Sequence, residues 1–420
     1  MKTLSTDPAL VHTFREVWAE LSGIGRAPDG GYLRFAWSPA EVALRDWFRV
    51  QAARRGMPVT DDGNGNLFAV WSPTSDERLS GAAPGGVLTG SHFDSVPHGG
   101  AFDGPLGIVS AFLAVDLLRE RGFQPTRPIT VAAFAEEEGS RFGVACLGSR
   151  LLTGAIDPQR AAALTDRDGI SLGDVLGATP AGARPELVAR FDAYVELHVE
   201  QGRALAGPIG VASAIWPHGR WRFDVEGEGN HAGTTLMTDR RDPMLTYAFT
   251  VLAANKEARL RGAHATVGRV EVTPNATNAI PAAVRGWLDA RAADDETLAG
   301  LVEAVAKKAT ERAGRDGTAI RFTAESTTGE VRFDPTLASN LAGLLGGAPI
   351  LPTGAGHDAG VLSAHLPTAM LFVRNPTGVS HAPAESASDA DCAEGVKALA
   401  RVLEELSAQP LVDHDEGVAR

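Results

Sequence analysis

The chain has 420 residues, 44% hydrophobic and 22% charged, with a formal net charge of -13. That length suits two globular domains, and that apolar content supports a real core. The negative balance argues against nucleic acid as a partner, which would need a basic stripe, and obliges any small anionic substrate to find a local arginine. The two cysteines, Cys146 and Cys392, do not make a secreted disulfide framework. Met1–Val11 has no basic segment followed by a long apolar run, so no signal peptide is expected. No window approaches the roughly 18 apolar residues of a membrane span. A cytoplasmic enzyme is the expectation.

In chain order, Ser38, Pro39 and Glu41 open a helix as cap, first residue and capping-box partner. Val42, Leu44, Trp47, Phe48 and Val50 supply its apolar positions. Asp62-Gly63-Asn64-Gly65-Asn66 reads as a turn before a strand over Leu67–Trp71. Ser72–Gly86 is a Pro/Gly/Ser-rich loop. Val87–Thr89 is a short apolar strand ending at His92, and a helix is predicted over Pro105–Arg121. Ile129–Ala135 is a second strand, ending at Glu136, Glu137 and Glu138. This alternation is the α/β pattern. Arg160–Arg190 is polar and Gly/Ala-rich with weak periodicity. Ala193–Leu197 is a strand ending at His198.

From about Ile215 the texture changes. Trp221–Val225, Thr266–Val272 and Val284–Ala290 alternate as half-buried strands. Asp242-Pro243 starts a helix reaching about Arg261, Asp294-Asp295 caps another, and Ile320–Thr323 is a strand. Two helices on one alternating sheet indicate a small α+β domain inserted into the larger one. The expected fold is a metal-binding α/β catalytic domain, residues 1–213 and 329–420, carrying a two-layer α+β lid or dimerisation domain, residues 214–328. Ala214 and Thr328 are its expected hinges.

Several polar residues stand where apolar strands stop, and in open α/β sheets ligands bind at the carboxyl ends of strands. His92 and Asp94 are two apart and share a side of an extended segment. Asp94 is therefore placed to take the second imidazole N–H of His92, although a surface pair is the more common meaning of His-x-Asp. Asp103 stands before a helix, where a carboxylate is often just a cap; Gly104 would give the backbone room to turn. Glu136, Glu137 and Glu138 repel one another as a solvated acidic loop would. A nearby dication removes that repulsion and divides the glutamates between metal ligand and general base. His198, His231 and His381 each mean little alone. Together these His, Asp and Glu residues, with no thiol among them, suggest a hydrolytic metal site.

The segments Gly90–Pro97, Glu137–Phe142, Glu196–Gly202 and Asn230–Thr235 carry a resemblance. They look like the binuclear metal amidohydrolases of the aminoacylase and carboxypeptidase superfamily. More narrowly they resemble the branch of N-carbamoyl-L-amino acid hydrolases, ureidopropionases and allantoate amidohydrolases. The resemblance runs from Phe35 to Ala387. It implies two divalent ions per subunit, with His92 on one, His381 on the other and Asp103 bridging; Glu138 and His198 would complete the two sites. Glu137 would be the general base and Asp94 the partner of His92. Asn278 and Arg291 match positions that hold the substrate carboxylate, and Arg291 offers it a bidentate fork. Gln201 and His231 match positions that contact the ureido group or its oxyanion, His231 being delivered by the inserted domain, which also forms a homodimer contact. His357 and Asp358 lie in a family-like motif without an assigned role.

His98 and Leu236 depart from the family's usual polar residue and proline. The substrate implied is a small ureido carboxylate. Arg34-Phe35-Ala36-Trp37 and Phe372–Gly378 favour allantoate, and hence purine catabolism. An N-carbamoyl-L-amino acid hydrolase or β-ureidopropionase is the alternative, with a dipeptidase, an aminoacylase and a non-catalytic binding protein behind it. The nitrogen–oxygen ligand set suits manganese or zinc, with cobalt or nickel also fitting; the allantoate reading suggests manganese.

Overall fold

The protein is described by a computed structural model over residues 7–73 and 85–408. The expectation of no leader over Met1–Val11 and the loop expected over Ser72–Gly86 fall largely outside those residues. The chain divides into two compact units, Met1–Ser213 with Arg332–Arg420, and Ala214–Val331.

In chain order the strands are β1 Val59–Asp61, β2 Leu67–Trp71, β3 Gly86–His92, β4 Ile129–Phe134, β5 Phe191–Val199, β6 Ile209–Ile215, β7 His218–Glu226 and β8 Asn230–His231. They continue with β9 His264–Thr273, β10 Ala279–Ile280, β11 Ala283–Arg291, β12 Ala319–Thr328, β13 Val331–Arg332, β14 Ile350–Thr353 and β15 Thr368–Val373. The strand expected over Ile320–Thr323 thus runs on to Thr328, and the second crossing between units falls just past it, at Val331.

The larger sheet has the order β1-β2-β4-β3-β5-β15-β6-β13, with β14 paired to β6. Its centre, β4-β3-β5-β15, is parallel, and β2 and β6 flank it antiparallel. Strands β3, β4 and β15 are buried at every residue. That is why they read as unbroken apolar runs and not as alternation. The helix Pro105–Glu120 connects β3 to β4 on one side, while β5 lies on the other side of β3. The strand order therefore reverses between β3 and β5. The crevice at their carboxyl ends is where an open α/β sheet binds ligands, and His92 and His198 stand there.

One sequence expectation is corrected, and two segments take on structure that the sequence reading did not assign. The helix Pro39–Arg54 forms with Ser38 accepting the Glu41 N–H, but Val42 and Val50 are exposed. Its inner face is Leu44, Trp47, Phe48 and Ala52, with a buried Glu41–Arg45 pair. A helix over Pro8–Ser22 was not expected. Asp7 caps it by accepting from Ala9 and Leu10, and it buries Leu10, Phe14 and Leu21. The polar, weakly periodic Arg160–Arg190 stretch forms short elements. It contains the short helices Leu172–Leu176 and Pro185–Val188, and Ala161 and Leu172 join Phe142, Leu147, Leu151 and Ile156 in a small apolar cluster.

The second unit is a four-stranded antiparallel sheet, β12-β7-β11-β9. The helices Pro243–Arg261 and Asp295–Asp316 cover one face. Phe223, Val225 and Leu288 from the strands meet Ala254, Ala258, Leu301 and Val305 from the helices, a two-layer α+β unit. Among the described residues no helix is long and apolar enough to cross a membrane.

Candidate active site

His92 is the last residue of β3 and His198 the penultimate residue of β5. Both are fully buried. The His92 Nδ1 lies 3.0 Å from the carbonyl oxygen of Asp94, and the His198 Nδ1 lies 2.9 Å from that of Val199. A ring nitrogen facing a carbonyl carries the proton, which turns the Nε2 lone pair the other way. Both Nε2 atoms face Asp103 Oδ1, at 3.6 Å for His92 and 3.1 Å for His198.

Asp103 is not the helix cap. Gly104 occupies that position, with φ 85° and no side-chain cap bond. A Cβ there would sit 2.5 Å from the His92 ring, so only glycine lets the chain turn beneath the imidazole. The Asp103 carboxylate is freed to face the histidines. Its Oδ1 serves His92 and His198, and its Oδ2 lies 3.2 Å from His381 Nε2. Glu138 Oε2 lies 3.5 Å from the same His381 atom. Two candidate ligand clusters share Asp103, His92–Asp103–His198 and Asp103–Glu138–His381, with one oxygen of Asp103 in each; a third, Glu196–His198–His357, shares His198.

Asp94 acts differently from the expectation. Its carboxylate is 3.7 Å from His92 Nδ1 and is engaged elsewhere, accepting the backbone N–H groups of Glu137 at 3.2 Å and Glu138 at 3.0 Å. The Asp94 backbone carbonyl orients the histidine, and its side chain orients the two glutamates. Glu137 Oε2 lies 3.7 Å from His92 Nε2. Gln201 joins the cluster, donating to Asp103 Oδ2 at 2.8 Å. Glu136 turns away at φ 54° and accepts from Arg141 and Phe142, so the three glutamates have three separate surroundings.

Sequence reasoning missed Glu385. Its Oε1 accepts the backbone N–H groups of Phe102 at 2.8 Å and Asp103 at 3.0 Å, which fixes the turn that presents Asp103. No sequence signal marked it. The fully buried His357 ring packs 4.5 Å from that of His198.

The electrostatics test whether a metal fits. Burial raises Asp103, but the imidazoles of His198, His381 and His92 that face it outweigh burial and hold the carboxyl well below the usual range. Burial opposes charge on His92, yet Glu137, Asp103 and Asp94 together push it well above the usual imidazole range. The Asp103 hydrogen bond lifts His381 to about 9. Burial pushes Glu137 well up, helped by the charges of Glu138 and Asp358. Burial and the Asp103 charge hold Glu138 near 7. Carboxylates outnumber the cations beside them, so protons fill the place of positive charge. His92 Nε2 and His198 Nε2 are buried without a hydrogen-bond partner, a defect in an ordinary core and the normal state of a metal ligand. The residues fit two divalent cations.

His231, Asn278 and Arg291 lie in the second unit. β8 pairs with β10, and the Ala232 N–H donates to the Asn278 carbonyl at 3.0 Å, which brings His231 and Asn278 together. Gly233 N–H donates to His231 Nδ1 at 3.1 Å, leaving Nε2–H as the free donor. Arg291, at the end of β11, holds the Asp289 carboxylate through Nε at 3.0 Å.

A buried, bridged His/carboxylate set at the switch point of an α/β sheet defines a class, the metal hydrolases with paired ion sites. Peptidase family M20/M25/M40 matches residues 88–405, and the chain belongs to that family. It is 35% identical to the N-carbamoyl-L-amino acid amidohydrolase of Geobacillus stearothermophilus, over 92% of this chain and 96% of the relative. It is 34% identical to the allantoate amidohydrolase of Escherichia coli K12, over 93% and 96%. An amidase of the hydantoinase/carbamoylase family from Burkholderia multivorans superposes with a TM-score of 0.84 at 30% identity, covering 96% of this chain and 98% of the other. The resemblance read from the sequence is borne out: this chain is a hydrolase of that family, and its relatives are amidohydrolases acting on C–N amide bonds.

Proposed function

We propose that this chain hydrolyses the ureido amide of a small carboxylate, with allantoate the favoured substrate, releasing ammonia and CO2. The observation that carries this reading is the pair of clusters sharing Asp103, with the Glu137 carboxylate beside them. His92 and His198 would hold one divalent ion and Glu138 and His381 the other, with Asp103 between; manganese is the proposed metal, and zinc, cobalt and nickel suit the same donors. Bound there, two ions supply Lewis acidity toward water and toward the amide oxygen. Glu137 takes the proton of the attacking water and passes it to the leaving nitrogen. His231 Nε2–H donates to the developing oxyanion, a contact worth on the order of 3 kcal/mol because it strengthens in the transition state. Asn278 and Arg291 bind the substrate carboxylate, Asp289 keeping the guanidinium in place.

N-carbamoyl-L-amino acids, β-ureidopropionate among them, are the second reading, and one observation favours it. The segments that leaned toward allantoate serve the scaffold. Arg34 is buried and donates to the carbonyls of Ile24 and Leu21, Arg374 pairs with Asp391, and Asn375 closes the turn before His381. The test is ammonia release by the chelator-stripped, manganese-reloaded protein. Allantoate turnover well above that of carbamoyl amino acids is the expected result. The reverse order moves the enzyme to the second reading, and activity on dipeptides or N-acyl amino acids alone sinks both.

We also propose a homodimer through the second unit, in a cytoplasmic enzyme. Strand β9 is an edge of its sheet, and Leu245, Leu252, Leu260 and Val270 are exposed there and on the helix Pro243–Arg261. An apolar face beside an unpaired edge is an association surface. Light scattering is expected to give a dimer, and Leu252→Glu with Leu260→Glu a monomer. A monomeric parent protein with full activity removes the idea.

A further inference from the structure

Behind Glu137 lies a contact that the reaction outlined above does not use. Cys146 Sγ is 3.4 Å from Glu137 Oε1, and both side chains are buried. The contact is built into the backbone. Cys146 N–H donates to the Glu137 carbonyl at 2.7 Å, Leu147 N–H to that of Glu136 at 3.1 Å, and Gly148 N–H to that of Ala135 at 2.9 Å. The start of the helix Leu147–Thr153 thus grips the strand end that carries the base. Cys146 adopts φ 54°, a left-handed conformation that a non-glycine residue holds only when its surroundings require it. Its carbonyl is tied as well, since Ser149 Oγ donates to it at 3.1 Å and lies 2.5 Å from Asp358 Oδ1.

A carboxylate has two oxygens, and general-base catalysis needs one presented in a fixed direction. The Cys146 thiol faces Oε1, while Oε2 points to the metal cluster, 3.7 Å from His92 Nε2. Burial and the charge of Glu137 push the thiol pKa well up, so Cys146 remains a donor. We propose that Cys146 is a positioning residue for the general base, its S–H donating to Glu137 Oε1 so that Oε2 is the oxygen that receives the proton. The proposal rests on the reading of Glu137 as the base.

The test compares Cys146→Ala, Cys146→Ser and Glu137→Gln in the full-length, metal-loaded protein, by ammonia release from the better substrate together with metal analysis. A buried hydrogen bond of ordinary strength corresponds to a loss of about 5- to 10-fold. Cys146→Ala is expected to lower kcat by that factor with KM and metal content unchanged, and Cys146→Ser, which keeps an O–H donor, to stay within about twofold of the parent. Parental kcat in Cys146→Ala, or an equal loss in Cys146→Ser, overturns the proposal. Full turnover in Glu137→Gln overturns the base assignment instead, a distinct result.

A second readout covers the case in which the alanine variant does not fold. The chain has only two thiols, and Cys392, on the helix Asp389–Ala408, serves as a reference. The infrared S–H stretch of Cys146 is expected at lower frequency than that of Cys392 and is expected to shift in Glu137→Gln while the Cys392 band stays. Two bands indifferent to Glu137→Gln mean that the thiol donates to nothing there.

Discussion

Glu137→Gln is expected to lower kcat by about 10³-fold while both metal equivalents remain bound. Glutamine keeps the shape and an oxygen acceptor but cannot take a proton. The Asp94 carboxylate grips the backbone N–H of residue 137, a contact the substitution leaves alone, so the loop that carries Glu138 keeps its place. Glu137 is also outside every candidate ligand cluster among the described residues. Loss of turnover at constant metal content therefore isolates proton transfer from metal binding. The measurement is a pair, ammonia release and metal analysis on the same sample. Turnover within about tenfold of the parent would fall short of the usual contribution of a general base and would take that role from Glu137.

Asp103→Ala is expected to remove metal from both sites and with it all measurable activity. Its two oxygens face different histidines, Oδ1 toward His92 and His198 and Oδ2 toward His381, so one substitution strips a ligand from each cluster. His381→Ala touches only one cluster and is expected to leave close to one equivalent per chain. The substitution also removes the acceptor that faces three imidazoles, leaving buried ring nitrogens next to like groups. Some loss of thermal stability is expected alongside the loss of metal. Two equivalents still bound to Asp103→Ala would show that the carboxylate does not bridge.

The local chemistry of the site was legible in the chain wherever a residue ends an element. His92 closes the apolar run of β3, the glutamates follow β4, and Gly104 precedes a proline that starts a helix; strand ends and helix starts have short-range signals. Glu385 had none. Its use comes from accepting the N–H groups of Phe102 and Asp103 across 283 and 282 positions, a distance no periodicity spans. Cys146 was read only as one of two thiols, because its meaning depends on a helix start folding back against the loop before it. The same limit explains Val42 and Val50. A hydrophobic residue on a helix reports that some face is buried, and which one is decided by the neighbour that packs there.

Asp94 marks the boundary between the two kinds of information. That a carboxylate two residues beyond His92 would support it followed from the pleat of an extended segment. Which atom does so did not, because the carboxylate is claimed by the N–H groups of Glu137 and Glu138, which arrive from another strand. By itself, the sequence determined the alternating elements of the α/β unit, the antiparallel insertion and the set of His, Asp and Glu side chains, since these follow from local propensity, periodicity and residue type. Only the tertiary structure decided that Asp103 is shared between two clusters, that His92 and His198 aim their Nε2 lone pairs at it, and that Glu385 accepts the Asp103 N–H, Cys146 lies against Glu137 and Asp94 accepts from Glu137 and Glu138. Those are contacts between residues distant in the chain, created when the sheet order reverses between β3 and β5 and brings their ends together.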